Sequence, residues 1–585
     1  MGTMNEGNPI REEIVAWLTG RVPLDRAAIG GLIEVPPNAE MGDYALPCFA
    51  LARELRKAPA AIAEELAASF TPTENVPGAA AAGPYLNFMV NRPVMTAHVL
   101  RQVHEAAETY GCSDLGAGET IVIDYSSPNI AKHLAVHHLR SAIIGRSLGL
   151  IFRALGRRVV GINHLGDWGT SFGKLIVAFE RYDDLDAETA TVSDLQDAYV
   201  RFSSAAEREP ELDDLAREAF RRLETGEAAA TELWERFTEI SLEEFQHIYD
   251  MLGVRFDACT PESFYVPMTH GCIERLVGAG IAQESEGALM VPLDDYDLPP
   301  VMLRKSDGAT LYITRDICAA EYRQQTYDFQ TAIYVVGGEQ KLHFAQLRKV
   351  LQLMGHEWAD RIEHVDFGLV KLRDPETGEA RKGATRKGEV VLLEDVLNEG
   401  VERARQKIGE NLDRMAEGAD LDELAAQVGT GAVVFSDLSV KRGKDVIFDW
   451  DRMLDFEGDT GPYVQYAHAR LCSILRKAGQ DVRADVDFSR LELPEEWALV
   501  GLLEDWPARI RFAAETREPS VVANYLLELC ARFSTYYSAG MREPERRVLC
   551  GDEALRAARL LLVEGVRHAI RSGLGLLGMA APERM

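Results

Sequence analysis

Residues 124–169 read DYSSPNIAKHLAVHHLRSAIIGRSLGLIFRALGRRVVGINHLGDWG. The apolar run Ile121-Val122-Ile123 just before them predicts a strand that ends in a Ser-Pro-Asn turn. A histidine-bearing turn follows. It opens a stretch with apolar residues at helical spacing: Leu139, Ile143, Ile144, Leu148, Leu150 and Ile151. A second strand, Arg158 to Ile162, ends in another polar cluster. One strand–helix–strand unit thus carries polar residues at both strand C-termini, the edge where open α/β sheets bind ligands.

Working outward, 585 residues predict several domains rather than one. Hydrophobic residues at 46% and charged residues at 27% are ordinary for a globular chain, and no apolar run is long enough to cross a membrane. The start, MGTMNEGNPIREEIVAWL, lacks the basic and apolar parts of a secretory signal. Eight scattered cysteines without a CxxC argue against a zinc site or disulfide framework and fit a reducing cytoplasm. The net charge of −30 argues against sequence-blind nucleic-acid binding but leaves room for local basic grooves. Such clusters stand at Arg53–Lys57, Arg381–Lys387 and Lys441–Lys444.

Three spans are expected. Residues 1–112 read as a small α+β domain, with helical patterns over roughly 10–19 and 48–69 and strand-like runs at Leu32–Val35 and Tyr85–Met89. Residues 113–398 alternate strands and helices as a parallel sheet requires, with a charged helical insertion at about 184–252. Residues 399–585 are nearly all helical in pattern and predict a bundle.

The segments SSPNIAK, HLRS, IIG and NHLGDWG resemble the signature of class I arginyl-tRNA synthetases, roughly SPNxAKxxHxGHLRS followed by NHxGDWG. The family's His-x-Gly-His is Ala135-Val136-His137-His138 here, so only its second histidine is kept. The resemblance extends to GDY near Tyr44, to Lys382-Gly383-Ala384-Thr385-Arg386-Lys387-Gly388 for the family's KMSTRKG, and to LYITRDI. It continues in FDWDRMLDFEGDTGPYVQYAHAR and the terminal LGMAAPERM. It implies a Rossmann-like class I catalytic domain, an N-terminal α+β domain that contacts tRNA and a C-terminal all-α anticodon-binding bundle.

Roles follow residue by residue. The resemblance makes His138 a contact of ATP that stabilises the adenylation transition state. A helix N-terminus favours phosphate at that point. His137 takes the place of the glycine that lets adenosine approach the backbone. Lys382, Arg386 and Lys387 would meet the pyrophosphate leaving group, and Lys132 would supply the lysine that arginyl enzymes often lack in that loop. Gly337 and Gly338 join His137 and His138 on the ATP side. Tyr312 and Asp316 would hold the substrate guanidinium, for which a carboxylate gives paired hydrogen bonds. Gln340, Asn129, Ser127 and Asp124 would complete the arginine site. Tyr463, Tyr466 and Arg470 are candidates for stacking on unpaired tRNA bases. The absence of an editing-sized insertion fits a substrate recognised through a buried charge.

The expected function is arginine–tRNA ligation, with ATP and Mg²⁺ as substrate complex and no tightly bound protein metal. Expected partners are tRNA(Arg), L-arginine and ATP, with no membrane, a cytoplasmic location and a monomeric state. Ala135, His137, Gly383 and Ala384 keep open a non-catalytic paralogue that binds tRNA or arginine in a regulatory role. A ligase with another acceptor is a further alternative, which the well-kept bundle argues against.

Overall fold

The computed structural model describes residues 8–36, 41–304, 311–373, 380–382, 391–410 and 420–585, with backbone only at 372 and 380–382. The N-terminal part holds α1 (Pro9–Leu18), α2 (Arg26–Leu32), β1 (Tyr44–Pro47), α3 (Phe49–Leu55), α4 (Pro59–Ser69), β2 (Gly78–Ala82), β3 (Tyr85–Met89) and α5 (Arg92–Ala106). Its three strands form an antiparallel sheet in the order β1-β3-β2. The helical pattern expected over 48–69 is broken in two. Arg56 closes α3 in the left-handed region at φ 53°, and Pro59 starts α4, where a ring that fixes φ and lacks an N–H is tolerated. Leu32–Val35 is not a strand. Asp25 caps α2 through to Leu32, and Glu34 makes a single bridge to Ala45.

The central part begins with β4 (Thr120–Asp124), α6 (His138–Ala154) and β5 (Arg158–Asn163). The helices α7 (Thr170–Arg181), α8 (Val192–Ala206), α9 (Glu211–Glu224) and α10 (Ala228–Leu252) follow. Thr191 and Asp194 start α8 with a reciprocal capping box. Next come β6 (Ala258–Cys259), α11 (Glu262–Gly278) and the antiparallel β7 (Gln283–Ser285), β8 (Ala288–Val291) and β9 (Val301–Arg304). Then follow α12 (Tyr312–Tyr327), β10 (Thr331–Gly337), α13 (Lys341–Leu353) and β11 (Ile362–Phe367).

Five strands form one parallel sheet in the order β11-β10-β4-β5-β6. Chain order runs outward from β4 through β5 to β6, then restarts on the other side with β10 and β11. The switch point therefore lies between β4 and β10, and the crevice at their C-terminal ends is the ligand position of such sheets. β4 is buried at every residue, as expected of a central parallel strand covered on both faces. Helix α6 packs down onto it because Gly145 has no side chain: a Cβ there would fall 2.3 Å from the Cβ of Tyr125.

The remainder comprises β12 (Val370–Arg373), β13 (Ala380–Lys382), α14 (Leu393–Gly409), α15 (Leu421–Leu438), β14 (Val446–Phe448) and α16 (Trp450–Met453). The last helices are α17 (Gly461–Ala478), α18 (Pro494–Thr516), α19 (Ser520–Arg542) and α20 (Glu553–Leu576). Their apolar stripes pack together, with Trp506, Tyr525, Leu526 and Leu561 fully buried. The helical run is interrupted by β14, which pairs in parallel with β12 and so ties the bundle side to the sheet side. Helix α6 is also bound to the bundle: Ser147 donates to the Leu576 carbonyl at 2.8 Å, and Arg146 to Gly578 at 2.8 Å.

A further link is the buried ion pair of Arg140, on α6, with Asp437, on α15. The groups are 2.9 Å apart and both 1% exposed. Burial pushes the Asp437 carboxyl up to about 6 against the pull of Arg140. Arg140 also donates to the Lys444 carbonyl at 2.8 Å. Removing one partner strands a buried charge. Asp437→Ala is therefore expected to cost about 3–5 kcal/mol in urea unfolding, and the double replacement Arg140→Met with Asp437→Leu far less.

Candidate active site

The turn after β4 is strained. Ser126 and Ser127 stand at φ 66° and 48°, left-handed values uncommon for residues other than glycine. Side chains from four elements hold it. The Ser126 N–H donates to Ser141 Oγ on α6 at 2.8 Å, and that hydroxyl donates to the Val335 carbonyl on β10 at 2.6 Å. One serine thus spans the switch point. Ser126 Oγ meets the Tyr249 hydroxyl at 2.8 Å, and the Ser127 N–H donates to Asn163 at 3.2 Å. Ser127 Oγ donates to Asp124 at 2.6 Å and accepts the His164 N–H at 3.0 Å. Asn129 is exposed, its segment bridged to Gly166. A Cβ at 166 would lie 1.9 Å from Asn129 Oδ1, so the glycine of HLGDWG makes room for this side chain.

Asp124 is buried and forms an ion pair with Arg323 of α12 at 2.7 Å. Arg323 lies over the Tyr334 ring at 5.2 Å. The charge of Asp124 is therefore answered inside the protein. Asp316 stays partly open, with a side chain 24% exposed and 2.8 Å from Nε2 of His343 on α13. Burial pushes its carboxyl up. The hydrogen bond and charge of His343, with His164 and Arg323, outweigh that and hold it below the usual carboxylate value. Burial, and then the charge of Arg323, keep the His164 imidazole below its ordinary value.

Tyr312 opens α12 one turn before Asp316 and is 60% exposed. Gln340 is exposed at the start of α13, one turn before His343. Glu262, at the start of α11, lies 3.2 Å from Arg315. Burial pushes the Glu262 carboxyl up to about 7, Arg315 pulls it back, and nearby Asp316 and Asp167 add to the rise.

His138 is the first residue of α6. The Ala135 N–H points at its Nδ1 at 2.9 Å. Nδ1 also lies 3.2 Å from the Ala135 carbonyl, so the backbone around the ring accommodates a proton on either nitrogen. Burial, then His137, with a smaller push from Lys132, lower its pKa to about 4, so the ring is neutral at physiological pH. His137 is exposed, its ring 4.1 Å from that of His138. Lys132 is exposed and faces the Tyr199 ring on α8 at 6.0 Å. Gly337 closes β10 at the switch point, and Gly338 follows it.

Of the expected loop cations, Lys382 ends β13 opposite Lys371, and Arg386 and Lys387 lie outside the described residues. The chain resumes beyond them directly on the histidine turn. The Val136 N–H donates to the Val391 carbonyl at 2.9 Å, and the Leu393 N–H to Leu134 at 2.8 Å. Both ends of the loop are thereby positioned, one on a sheet and one on the turn that carries His138.

In the bundle, Tyr463 is half-buried beneath the Thr460 cap, whereas Tyr466 is exposed. Arg470 donates to the Tyr466 hydroxyl at 2.9 Å and lies over the rings of Tyr466 and Tyr537, at 4.6 and 5.0 Å. Tyr466, Arg470 and Tyr537 line a cleft of about 580 Å³ together with Arg476, Lys477, Arg546 and Arg547, and Tyr463 is not among its lining residues. It is a cationic surface on a chain of net charge −30.

Sequence reasoning missed Arg323, His343, His164 and Glu262. His343 had a readable signal, standing one helical turn after Gln340. The pairing of Arg323 with Asp124 had none, because it joins segments 199 residues apart (323 − 124).

The parallel sheet, its switch point and the helical bundle match solved synthetases along the whole chain. Thermus thermophilus arginyl-tRNA synthetase superposes with a TM-score of 0.81 at 28% identity, covering 99% of both chains. The Plasmodium falciparum enzyme does so at 0.79 and 23% identity, covering 99% of this chain and 98% of its own, a likeness of fold. Residues 102–450 match the catalytic domain of class I (R) tRNA synthetases, which makes this an aminoacyl-tRNA ligase of class I. Residues 8–90 match the arginyl-tRNA synthetase N-terminal domain, and 464–585 the DALR anticodon binding domain. The arginine–tRNA ligase of Clostridium botulinum Alaska E43 is 44% identical over 98% of this chain and 100% of its own. That of Clostridioides difficile is 43% identical over 96% and 97%. The chain belongs to the arginyl-tRNA synthetase family.

Ser141→Ala would leave the Ser126 N–H and the Val335 carbonyl without their shared partner. A loss of about 1–3 kcal/mol is expected in urea unfolding, with turn residues 126–129 exchanging amide hydrogens faster than the sheet.

Proposed function

We propose that this ligase forms arginyl-adenylate in the crevice between β4 and β10 and then transfers the arginyl group to tRNA(Arg). What supports the reading is an ionised carboxylate, Asp316 on α12, beside His343, together with a neutral histidine, His138, at the start of α6. The substrate guanidinium would lie on Asp316 and Tyr312, with Ser127, Asn129 and Gln340 toward its amino-acid end. Asp124 contributes indirectly, by fixing Ser127 and Arg323.

The arginine carboxylate attacks the α-phosphorus of ATP, the bond to the bridging oxygen breaks, and pyrophosphate leaves. With its ring proton on Nε2, neutral His138 would donate to a phosphate oxygen without proton uptake. Lys132, His137, Gly337 and Gly338 would meet the triphosphate, and Lys382, Arg386 and Lys387 would be the cations for its pyrophosphate end. They answer charge that grows on the leaving group. Mg²⁺ enters with ATP as part of the substrate. The tRNA 3′-terminal hydroxyl then attacks the carbonyl carbon of the adenylate, and AMP leaves. Catalysis is positioning and charge neutralisation, without a covalent enzyme intermediate.

The bundle cleft with Arg470, Tyr466 and Tyr537 supplies a cationic, aromatic surface suited to unpaired bases. The N-terminal residues 1–112 would add a second tRNA contact. A monomer working in the cytoplasm fits this scheme.

Charging of total tRNA with labelled arginine and ATP tests the reading. The purified chain is expected to charge it and Asp316→Ala to lose the activity. Binding of arginine or tRNA without charging would instead point to the non-catalytic paralogue. His138→Ala should slow ATP–pyrophosphate exchange about 10²-fold. The His138 pKa is depressed in the folded chain. Its neutral form is complete above about 6.5, and folded stability falls only as pH drops from there toward 4. Exchange rates between pH 6 and 7.5 should therefore show no limb that disappears in His138→Asn.

A further inference from the structure

Arg315 precedes Asp316 on α12, yet its side chain is only 6% exposed. Its guanidinium lies over the ring of Tyr312 at 4.9 Å and faces the carboxylate of Glu262 at 3.2 Å. A planar cation between an aromatic face and a carboxylate is the arrangement a guanidinium ligand would seek. Here the chain's own guanidinium has it, against the tyrosine assigned above to the substrate.

We propose that Arg315 is an internal competitor for the guanidinium subsite and thereby sets the affinity for arginine; the inference rests on the Tyr312–Asp316 reading of that site. The internal contact is incomplete. Arg315 Nε and Glu262 Oε2 are buried without a hydrogen-bond partner among the described residues, so their contact is an ion pair of poor alignment. A free arginine, able to turn its fork onto both Glu262 and Asp316, would improve on it. Arg315 also has somewhere to go. Burial raises the carboxyl of Glu224, at the exposed C-terminal end of α9, and the charge of Arg315 opposes that rise. Arginine binding then moves Arg315 from Glu262 toward Glu224. The apparent affinity is lowered by the fraction of molecules in which Arg315 still holds the subsite.

Calorimetric titration of the full chain with L-arginine, without ATP or tRNA, tests this. Arg315→Ala is expected to bind arginine about three- to tenfold tighter, the range of one partly desolvated cation–aromatic contact. Glu224→Gln, a surface change, removes the alternative partner and is expected to weaken binding by a similar factor. Arginine bound no tighter by an Arg315→Ala chain that unfolds at the wild-type midpoint overturns the proposal. If that variant does not fold, unchanged binding by Glu224→Gln overturns it and weakened binding supports it. Asp316→Ala separates the two readings: undiminished arginine binding there removes the site assignment itself.

Discussion

The hydroxyl of Ser141 closes the gap between β4 and β10, and most of the site depends on that closure. A parallel sheet that reverses its winding leaves two strand ends side by side with backbone groups unpaired. Here one of those ends leaves in a turn with two serines at positive φ. The Ser126 N–H of the turn needs an acceptor and the Val335 carbonyl on β10 a donor, and Ser141 supplies both. Its position on α6 ties the turn to the helix. Four successive residues then do four different things. His138 presents a neutral ring at the helix start, Leu139 packs in the core, Arg140 holds the bundle through Asp437, and Ser141 holds the turn.

The electrostatics are arranged around buried arginines rather than around net charge. Arg140, Arg315 and Arg323 are each almost fully buried, and each faces a carboxylate from a distant segment. Asp124 and Asp437 serve as fixed partners of Arg323 and Arg140, while His343 helps hold the Asp316 carboxyl below its usual value and that side chain stays partly open. Far from the sheet, the cleft of Arg470, Arg476, Arg546 and Arg547 forms a basic surface that the chain's net charge of −30 conceals.

Legibility followed the range of the forces. The β4–α6–β5 unit was readable because local periodicity and the tertiary burial agree. The expected helix over 48–69 failed at Pro59, where a breaker outweighed an otherwise continuous apolar pattern. The strand β14 inside a helical region was hidden, since its three residues gain their pairing from β12, more than seventy residues earlier. In the candidate site, Tyr312, Asp316 and His138 stood out as candidates because their motifs spell chemistry. Asp124 was readable as an acid at a strand end, but its commitment to Arg323 was not.

By itself the sequence determined the family, the alternation that makes a parallel sheet, and which residue types stand at the strand ends. It did so because periodicity, turn residues and motif spacing are local properties of the chain. Only the tertiary structure decided which of those residues face a ligand and which face one another. Pairings such as Arg323 with Asp124, Arg140 with Asp437 and His343 with Asp316 arise when segments far apart in sequence are buried together. Their geometry depends on the packing of whole helices, and no local pattern records it.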